Sequence, residues 1–212
     1  MKKEINADAV ILDVDGTLWD STPIVARAWQ QAAIENDIDI EILPDTLKGL
    51  FGRTMDKIAE ALLPNESLRK RTDFMDACTK KEHEALIKDP CHITYPLVVE
   101  TIKELSRRVP VAIVSNCQSG YIELFLEKTG LAPYVKDKEC FGDTGEGKAY
   151  NIKLTAKRNG WKNPVYVGDT EGDRVASKEA GVRFIYASYG FGNPESCYDS
   201  IASFEELLNI KS

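Results

Sequence analysis

The chain has 212 residues, 43% hydrophobic and 29% charged, with 27 basic against 34 acidic side chains for a net charge of −7. That length holds one sizeable core plus a small appendage, and the balance excludes a fibrous or largely disordered protein. The acidic excess speaks against a nucleic-acid or anionic-membrane partner, and no run nears the roughly 20 apolar residues of a membrane span.

The first ten residues, MKKEINADAV, hold a basic pair but no apolar stretch before Asp8, so no secretory signal is expected. Five cysteines (78, 91, 117, 140 and 197) are scattered without CxxC spacing. They suit reduced thiols in a cytoplasm, not a disulfide framework or a zinc site. AVILD (9–13) is short, rich in β-branched residues and unalternating, as a parallel strand buried on both faces should be. From about Asp20 to Pro90 no strand pattern follows. Instead there are at least three helical segments: TPIVARAWQQAAIEN, TMDKIAEALL and ESLRKRTDFMDACTKKEHEAL. A strand and helix alternation then begins. PLVVETIKELSRRV (96–109) is helical, VPVAIVSN (109–116) is a second buried strand, and SGYIELFLEKTG (119–130) is a helix with Ser119 as its expected cap and Gly130 as its stop. EC-F near 139–141 is a faint strand. GKAYNIKLTAKRNG (147–160) is a helix, PVYVGD (164–169) the third strong strand and VRFIYAS (182–188) a further one. A last helix is expected over SFEELLNI, where Ser203 and Glu206 have capping-box spacing. The order implies an α/β fold with a mainly parallel sheet and an all-helical insert after the first strand.

In such sheets ligands bind beyond the carboxyl ends of the strands. The three strong strands end there in Asp13, Ser115–Asn116 and Asp169, and Asp15 follows two residues after the first. Asp and Ser often end strands merely as turn residues. Three such ends on one sheet edge, however, would crowd Asp13, Asp15 and Asp169 unless a cation sat among them. Carboxylate oxygens without nearby histidine or cysteine suit Mg²⁺ better than zinc.

These residues resemble the haloacid dehalogenase (HAD) superfamily. DVDGTLWDS (13–21) resembles its motif I, DxDGT; VSN (114–116) its motif II; Lys148 its motif III; and GDTEGD (168–173) its motif IV, GDxxxD. The motifs come in family order, and the helical insert lies where subclass I members carry a C1 cap. The resemblance is nearest the phosphoglycolate phosphatase-like and β-phosphoglucomutase-like branch. It implies a Rossmann-like core over 1–19 and 93–212, an inserted helical cap over 20–92, and Mg²⁺-dependent hydrolysis of a small phosphomonoester, of phosphoglycolate or sugar-phosphate type. Asp13 is then the nucleophile that forms an aspartyl-phosphate, and Asp15 the acid and base. Gly16 and Thr17 shape the phosphate loop, Thr17 by fixing its turn with a side-chain hydrogen bond. Ser115, Asn116 and Lys148 hold the phosphate. Asp13, the carbonyl of Asp15 and Asp169 are the metal ligands, with Asp173 orienting metal-bound water. Within GLFGRTMDKI (49–58), Arg53 resembles the cap-loop arginine that reaches toward the substrate, with Thr54 starting the next helix. The hinge is expected at Leu18–Ser21 and Thr94–Pro96.

A calcium loop starting at Asp13 would need glycine at its sixth position, which is Leu18. GDTGEGKA (142–149) approaches a phosphate-binding P-loop, but Ala149 replaces the metal-binding hydroxyl, and VKDKEC is a poor buried strand before it. Relatives in the family usually have proline after the motif III lysine, where Ala149 stands here. Lys153, the rival for Lys148, lies further into the helix. His83 and His92 read as surface histidines, Cys117 as a packing residue, Trp29 as cap core and SLRKRTDF as a solvated helix face. The mutases of this branch carry a cap histidine near the position of Val25, so phosphomutase or phosphotransferase activity is the alternative and phosphatase the preferred reading. A non-catalytic regulatory protein on the same scaffold is the alternative from another class. No nucleic-acid or membrane partner is expected, and the assembly is a monomer or homodimer.

Overall fold

The computed structural model describes residues 5–90, 92–197 and 199–211. In chain order the elements are β1 (Ile5–Asn6), β2 (Ala9–Leu12), α1 (Thr22–Glu35), α2 (Pro44–Lys48), α3 (Met55–Leu62), α4 (Leu68–Lys88), α5 (Val98–Leu105), β3 (Val111–Ser115), α6 (Tyr121–Thr129), β4 (Asp137–Cys140), α7 (Phe141–Thr144), α8 (Lys148–Asn159), β5 (Pro164–Gly168), α9 (Glu171–Ala180), β6 (Arg183–Ala187), β7 (Ser200–Ile201) and β8 (Ile210–Lys211). Short 3₁₀ turns occupy Ala132–Tyr134 and Phe204–Asn209.

Six strands form one parallel sheet in the order β4-β3-β2-β5-β6-β7, and β1 pairs with β8 in a separate parallel ribbon. Every residue of β2, β3 and β5 is buried. The reason is that successive side chains alternate between faces and both faces are covered. Val10, Leu12, Val111, Ile113, Val165 and Val167 join the larger core on one side. Ile11, Ala112, Val114 and Tyr166 meet Ile152 of α8 and Ala176 of α9 on the other. The strand order reverses at β2, whose neighbours are β3 and β5. The crevice at their carboxyl ends is therefore the topological switch point, where such sheets hold ligands.

Among the described residues, five helices and no named strand lie between β2 and β3; the first four, α1 to α4, form the insert. Its two connections run side by side: Asp20 N donates to Ile93 O and Tyr95 N to Leu18 O. Trp29 is buried in α1, as expected of insert core, and its indole donates to the Glu82 carboxylate of α4.

Three local expectations are corrected. The last helix is a 3₁₀ segment, and Ser203 makes no side-chain cap. Its six residues end directly in β8. Helix α6 starts after Gly120, which is in the left-handed region at φ 86°, and not from a Ser119 cap. The faint strand near 139–141 is real and covers Asp137–Cys140, so VKDKEC does belong to the sheet. It sits at the edge, where Asp137 can pair with Arg158 at 2.7 Å and Lys138 with Glu123. His83 and His92 are exposed and Cys117 is buried, as expected. Cys91 lies outside the described residues.

Candidate active site

The site is assembled from the ends of three strands. Asp13 follows β2 directly, Ser115 ends β3 with Asn116 next, and Asp169 follows β5. The Asp13 amide donates to Val167 O at 2.9 Å, extending the ladder by one residue and fixing the spacing of the two strand ends. Asp13 and Asp169 are 1% and 0% exposed.

Lys148 begins α8 and reaches under these ends, itself buried. Its ammonium stands 3.0 Å from Asp13 Oδ1 and donates to Asp173 Oδ1 at 2.5 Å. Burial alone would lower the lysine pKa, but Asp13 and Asp173 drive it up, so it stays charged. Burial pushes Asp13 up to about 7, against the pull of Lys148. Burial likewise pushes Asp169 up to about 8, with Asp173 and Asp13 adding to the rise. Asp173 is held below its ordinary value: burial opposes this, and Lys148 and the Thr170 hydrogen bonds outweigh it.

Among the described residues, carboxylate oxygens of Asp13, Asp169 and Asp173 come within 4.8 Å of one another. Two of these acids are disfavoured as anions by burial, and all donors are hard oxygens, so the cluster fits a divalent cation that prefers carboxylates. The three acids are not equally available. Both oxygens of Asp173 are committed, Oδ1 to Lys148 and Tyr166, Oδ2 to the amide and hydroxyl of Thr170 in a capping box at the start of α9. Asp169 accepts from the Thr17 hydroxyl at 3.3 Å and from Phe191 N at 2.7 Å.

Asp15 points elsewhere. Its Oδ1 accepts from Trp19 Nε1 at 3.0 Å, Ser21 Oγ at 2.7 Å and Tyr121 OH at 2.7 Å. Burial raises its pKa to about 6, while these three hydrogen bonds restrain the rise. Its carboxylate is thus outside the three-acid cluster that the sequence spacing suggested it would join, held instead by Trp19, Ser21 and Tyr121. Gly16 has φ +79°, and a Cβ there would lie 2.3 Å from Asp169 Oδ2. The Thr17 hydroxyl does not close its own turn; it bonds to Asp169, 152 positions away.

Ser115 is buried at the β3 end, and Asn116 Nδ2 donates to Gly52 O at 2.8 Å, joining the strand end to the loop of the insert. Arg53, next along that loop, is exposed at the edge of a small chamber of about 30 Å³, which Asp15, Ser115 and Asn116 also line. Thr54 precedes α3, with no side-chain cap.

Sequence reasoning missed several participants. The loop 190–192 carries the Asp169 partner Phe191 N, and a Cβ on Gly190 would fall 2.3 Å from Asp169 Cβ. The paired glycines of GFG were the available signal. Tyr121 and Gln118 had none, since only the fold brings them to Asp15 and Glu82. Glu82 was visible as a charge within the apolar stripe Phe74, Cys78, Leu86 of α4.

The chain is 26% identical to phosphoglycolate phosphatase from Vibrio parahaemolyticus, with 96% of each chain covered. It is also 26% identical to the plasmid-encoded phosphoglycolate phosphatase of Cupriavidus necator, over 94% of this chain and 92% of that one. A variant of CbbY from Rhodobacter sphaeroides, crystallised with xylulose-(1,5)-bisphosphate, has the same fold at a TM-score of 0.82 and 18% identity, covering 97% of this chain and 100% of the other. The family model for haloacid dehalogenase-like hydrolases matches residues 10–187, from within β2 to the end of β6, and the chain belongs to that family.

Proposed function

We propose that the protein is a Mg²⁺-dependent phosphatase that hydrolyses a small phosphomonoester in two steps, with Asp13 as nucleophile. The observation that carries this reading is the pairing of Asp13 with Lys148 at 3.0 Å beside Asp169, with Asp15 anchored two residues away on a different set of donors. Asp13, Asp169 and the carbonyl of Asp15 would hold the metal, and Asp173 would orient its water. When bound, the ion supplies positive charge that offsets the crowded acids and the phosphate.

In the first step an Asp13 oxygen attacks phosphorus and the bond to the alcohol breaks. Asp15 gives its proton to the departing alkoxide. Three donors occupy Oδ1 of Asp15, which leaves Oδ2 to carry that proton. In the second step water attacks phosphorus, Asp15 takes the water's proton, and the bond to Asp13 breaks to release phosphate. Lys148, Ser115 and Asn116 stabilise the phosphoryl oxygens throughout.

The phosphate-handling residues all lie in 1–19 and 93–212, and the paired connections at Asp20–Ile93 and Leu18–Tyr95 support residues 20–92 as a cap hinged on two adjacent strands. The relatives' names support a small ester of glycolate or sugar type. Among the described residues no helix is long and apolar enough to cross a membrane, and Cys78, Cys117, Cys140 and Cys197 are free thiols, in keeping with a cytoplasmic enzyme. No nucleic-acid partner is invoked, and the site is complete within one chain, so a monomer or homodimer would serve.

The test is phosphate release from a panel of small phosphomonoesters with Mg²⁺. Asp13→Asn is expected to abolish release and EDTA to suppress it in the wild type. Undiminished turnover by the variant would remove Asp13 as nucleophile.

A further inference from the structure

The groups at the strand ends are shut in. Asp13, Ser115, Lys148 and Asp169 are all buried. The chamber beside them, about 30 Å³, has room for about one or two waters and not for a phosphoryl group with its alcohol. Any larger solute that reaches the strand ends must therefore pass a wall that gives way.

The structure shows where that wall is thinnest. A second cavity, a cleft of about 380 Å³, lies between the exposed Asp76, Lys80 and His83 of α4 and residues Gln118, Ser119 and Tyr121 of the core. Gln118 and Tyr121 line both cavities, so they form the partition between them. Tyr121 is fixed: it is buried, its hydroxyl donates to Asp15 Oδ1 at 2.7 Å, and its ring meets Trp19 edge-on at 5.5 Å. Gln118 is only half-buried, and its side chain is held by the bond from Nε2 to Glu82 Oε1, 2.7 Å long, between core and insert. Glu82 itself stays in place, because its Oε2 accepts from Trp29 Nε1 at 2.8 Å within the insert. Swinging Gln118 into the cleft exchanges one protein hydrogen bond for bonds to water, a far smaller cost than unpacking Tyr121.

We propose that Gln118 is a gate: its bond to Glu82 keeps the chamber shut, and breaking that bond opens the chamber to the cleft along α4, which is the passage for solutes between bulk water and the strand ends. The gate serves the strand-end groups whatever chemistry they perform, and its test needs no turnover.

Cys117 lines the chamber and is buried, so its alkylation by iodoacetamide, read by peptide mass spectrometry, reports opening. Cys78 in α4 and Cys140 at the end of β4 are buried off the chamber's lining and report unfolding of the insert and of the core. Gln118→Ala is expected to speed alkylation of Cys117 by about fivefold or more, with Cys78 and Cys140 unchanged. In the wild type, alkylation of Cys117 is expected to stay flat below about 1 M urea while that of Cys78 and Cys140 climbs, because a local opening exposes little surface. An unchanged Cys117 rate in the variant, or a wild-type Cys117 rate that climbs with urea alongside the other two, overturns the gate. Should Gln118→Ala speed all three alike, the variant has loosened the fold, and the wild-type urea series alone decides: a flat Cys117 rate upholds the gate and a climbing one overturns it.

Discussion

The Lys148 ammonium bridges two buried acids from different parts of the chain, standing 3.0 Å from Asp13 Oδ1 and donating to Asp173 Oδ1. One cation thereby serves two anions that are themselves close to a third, Asp169. Lys148→Met would leave Asp13 and Asp173 facing each other without compensation. Stability is expected to fall by about 3–5 kcal/mol, and phosphate release by about 100-fold or more. Urea unfolding and phosphate release on the same preparation measure both. A variant that unfolds like the wild type would show that the two acids do not need the shared cation.

The backbone of residues 190–192 grips Asp169, and it does so at a distance that admits no side chain. A Cβ on Gly190 would sit 2.3 Å from Asp169 Cβ and 2.4 Å from Gly16 O. Both neighbours are held by backbone, so the clash must displace the loop or Asp169. Gly190→Ala is expected to raise the Mg²⁺ concentration that gives half-maximal activity by about tenfold or more. A Mg²⁺ titration of turnover reads this directly, and an unchanged midpoint would exclude the loop from the metal site.

Tyr121 and Ser21 each donate to Asp15 Oδ1 at 2.7 Å. Tyr121→Phe removes one of three donors to Asp15, and with it the 3.0 Å contact of the phenol with Ser21 Oγ. A loss of about 1 kcal/mol in stability is expected, together with a drop in kcat of roughly 3- to 10-fold and little change in KM. Steady-state kinetics on one good ester distinguishes this from a binding effect, which would raise KM at constant kcat.

Burial raises Glu82 from its ordinary value of 4.5 to about 8; the Gln118 and Trp29 hydrogen bonds oppose the rise and Asp15 adds to it. The folded state therefore keeps this proton at pH values where the unfolded chain has lost it. The contribution of Glu82 to stability is full below its unfolded pKa and is lost as pH rises through the folded value. Between about pH 5 and pH 8 the wild type should lose stability relative to Glu82→Gln, by as much as about 1.4 kcal/mol per unit. Urea melts of both proteins at the two ends of that window supply the slopes. Parallel slopes, or a wild type that gains on the variant as pH rises, would contradict the linkage.

The order of strands, the helical insert and the four motifs were legible in the sequence because each is a local pattern. A strand buried on both faces is an unbroken apolar run, and Asp13, Asp15, Lys148 and Asp169 stand at fixed offsets from such runs or helix starts. The short edge strand Asp137–Cys140 was barely legible because its charged side chains look outward to Arg158 and Glu123, so composition alone reads it as a loop. The Ser203 and Ser119 caps failed for a related reason. Capping requires a particular backbone geometry, and residues with the right chemistry also have other partners in space.

What the amino-acid order determined by itself was which acids could meet: parallel strands separated by helices must deliver their carboxyl ends to one edge, whatever the details of packing. Only the tertiary structure decided how those acids divide their work. Tyr121 holds the Asp15 carboxylate, Lys148 binds Asp173 to Asp13, and Gln118 and Trp29 hold Glu82 between the insert and the core. Each of these is a contact between side chains far apart in the chain, set by the close packing of one element on another and carrying no local signature in the sequence.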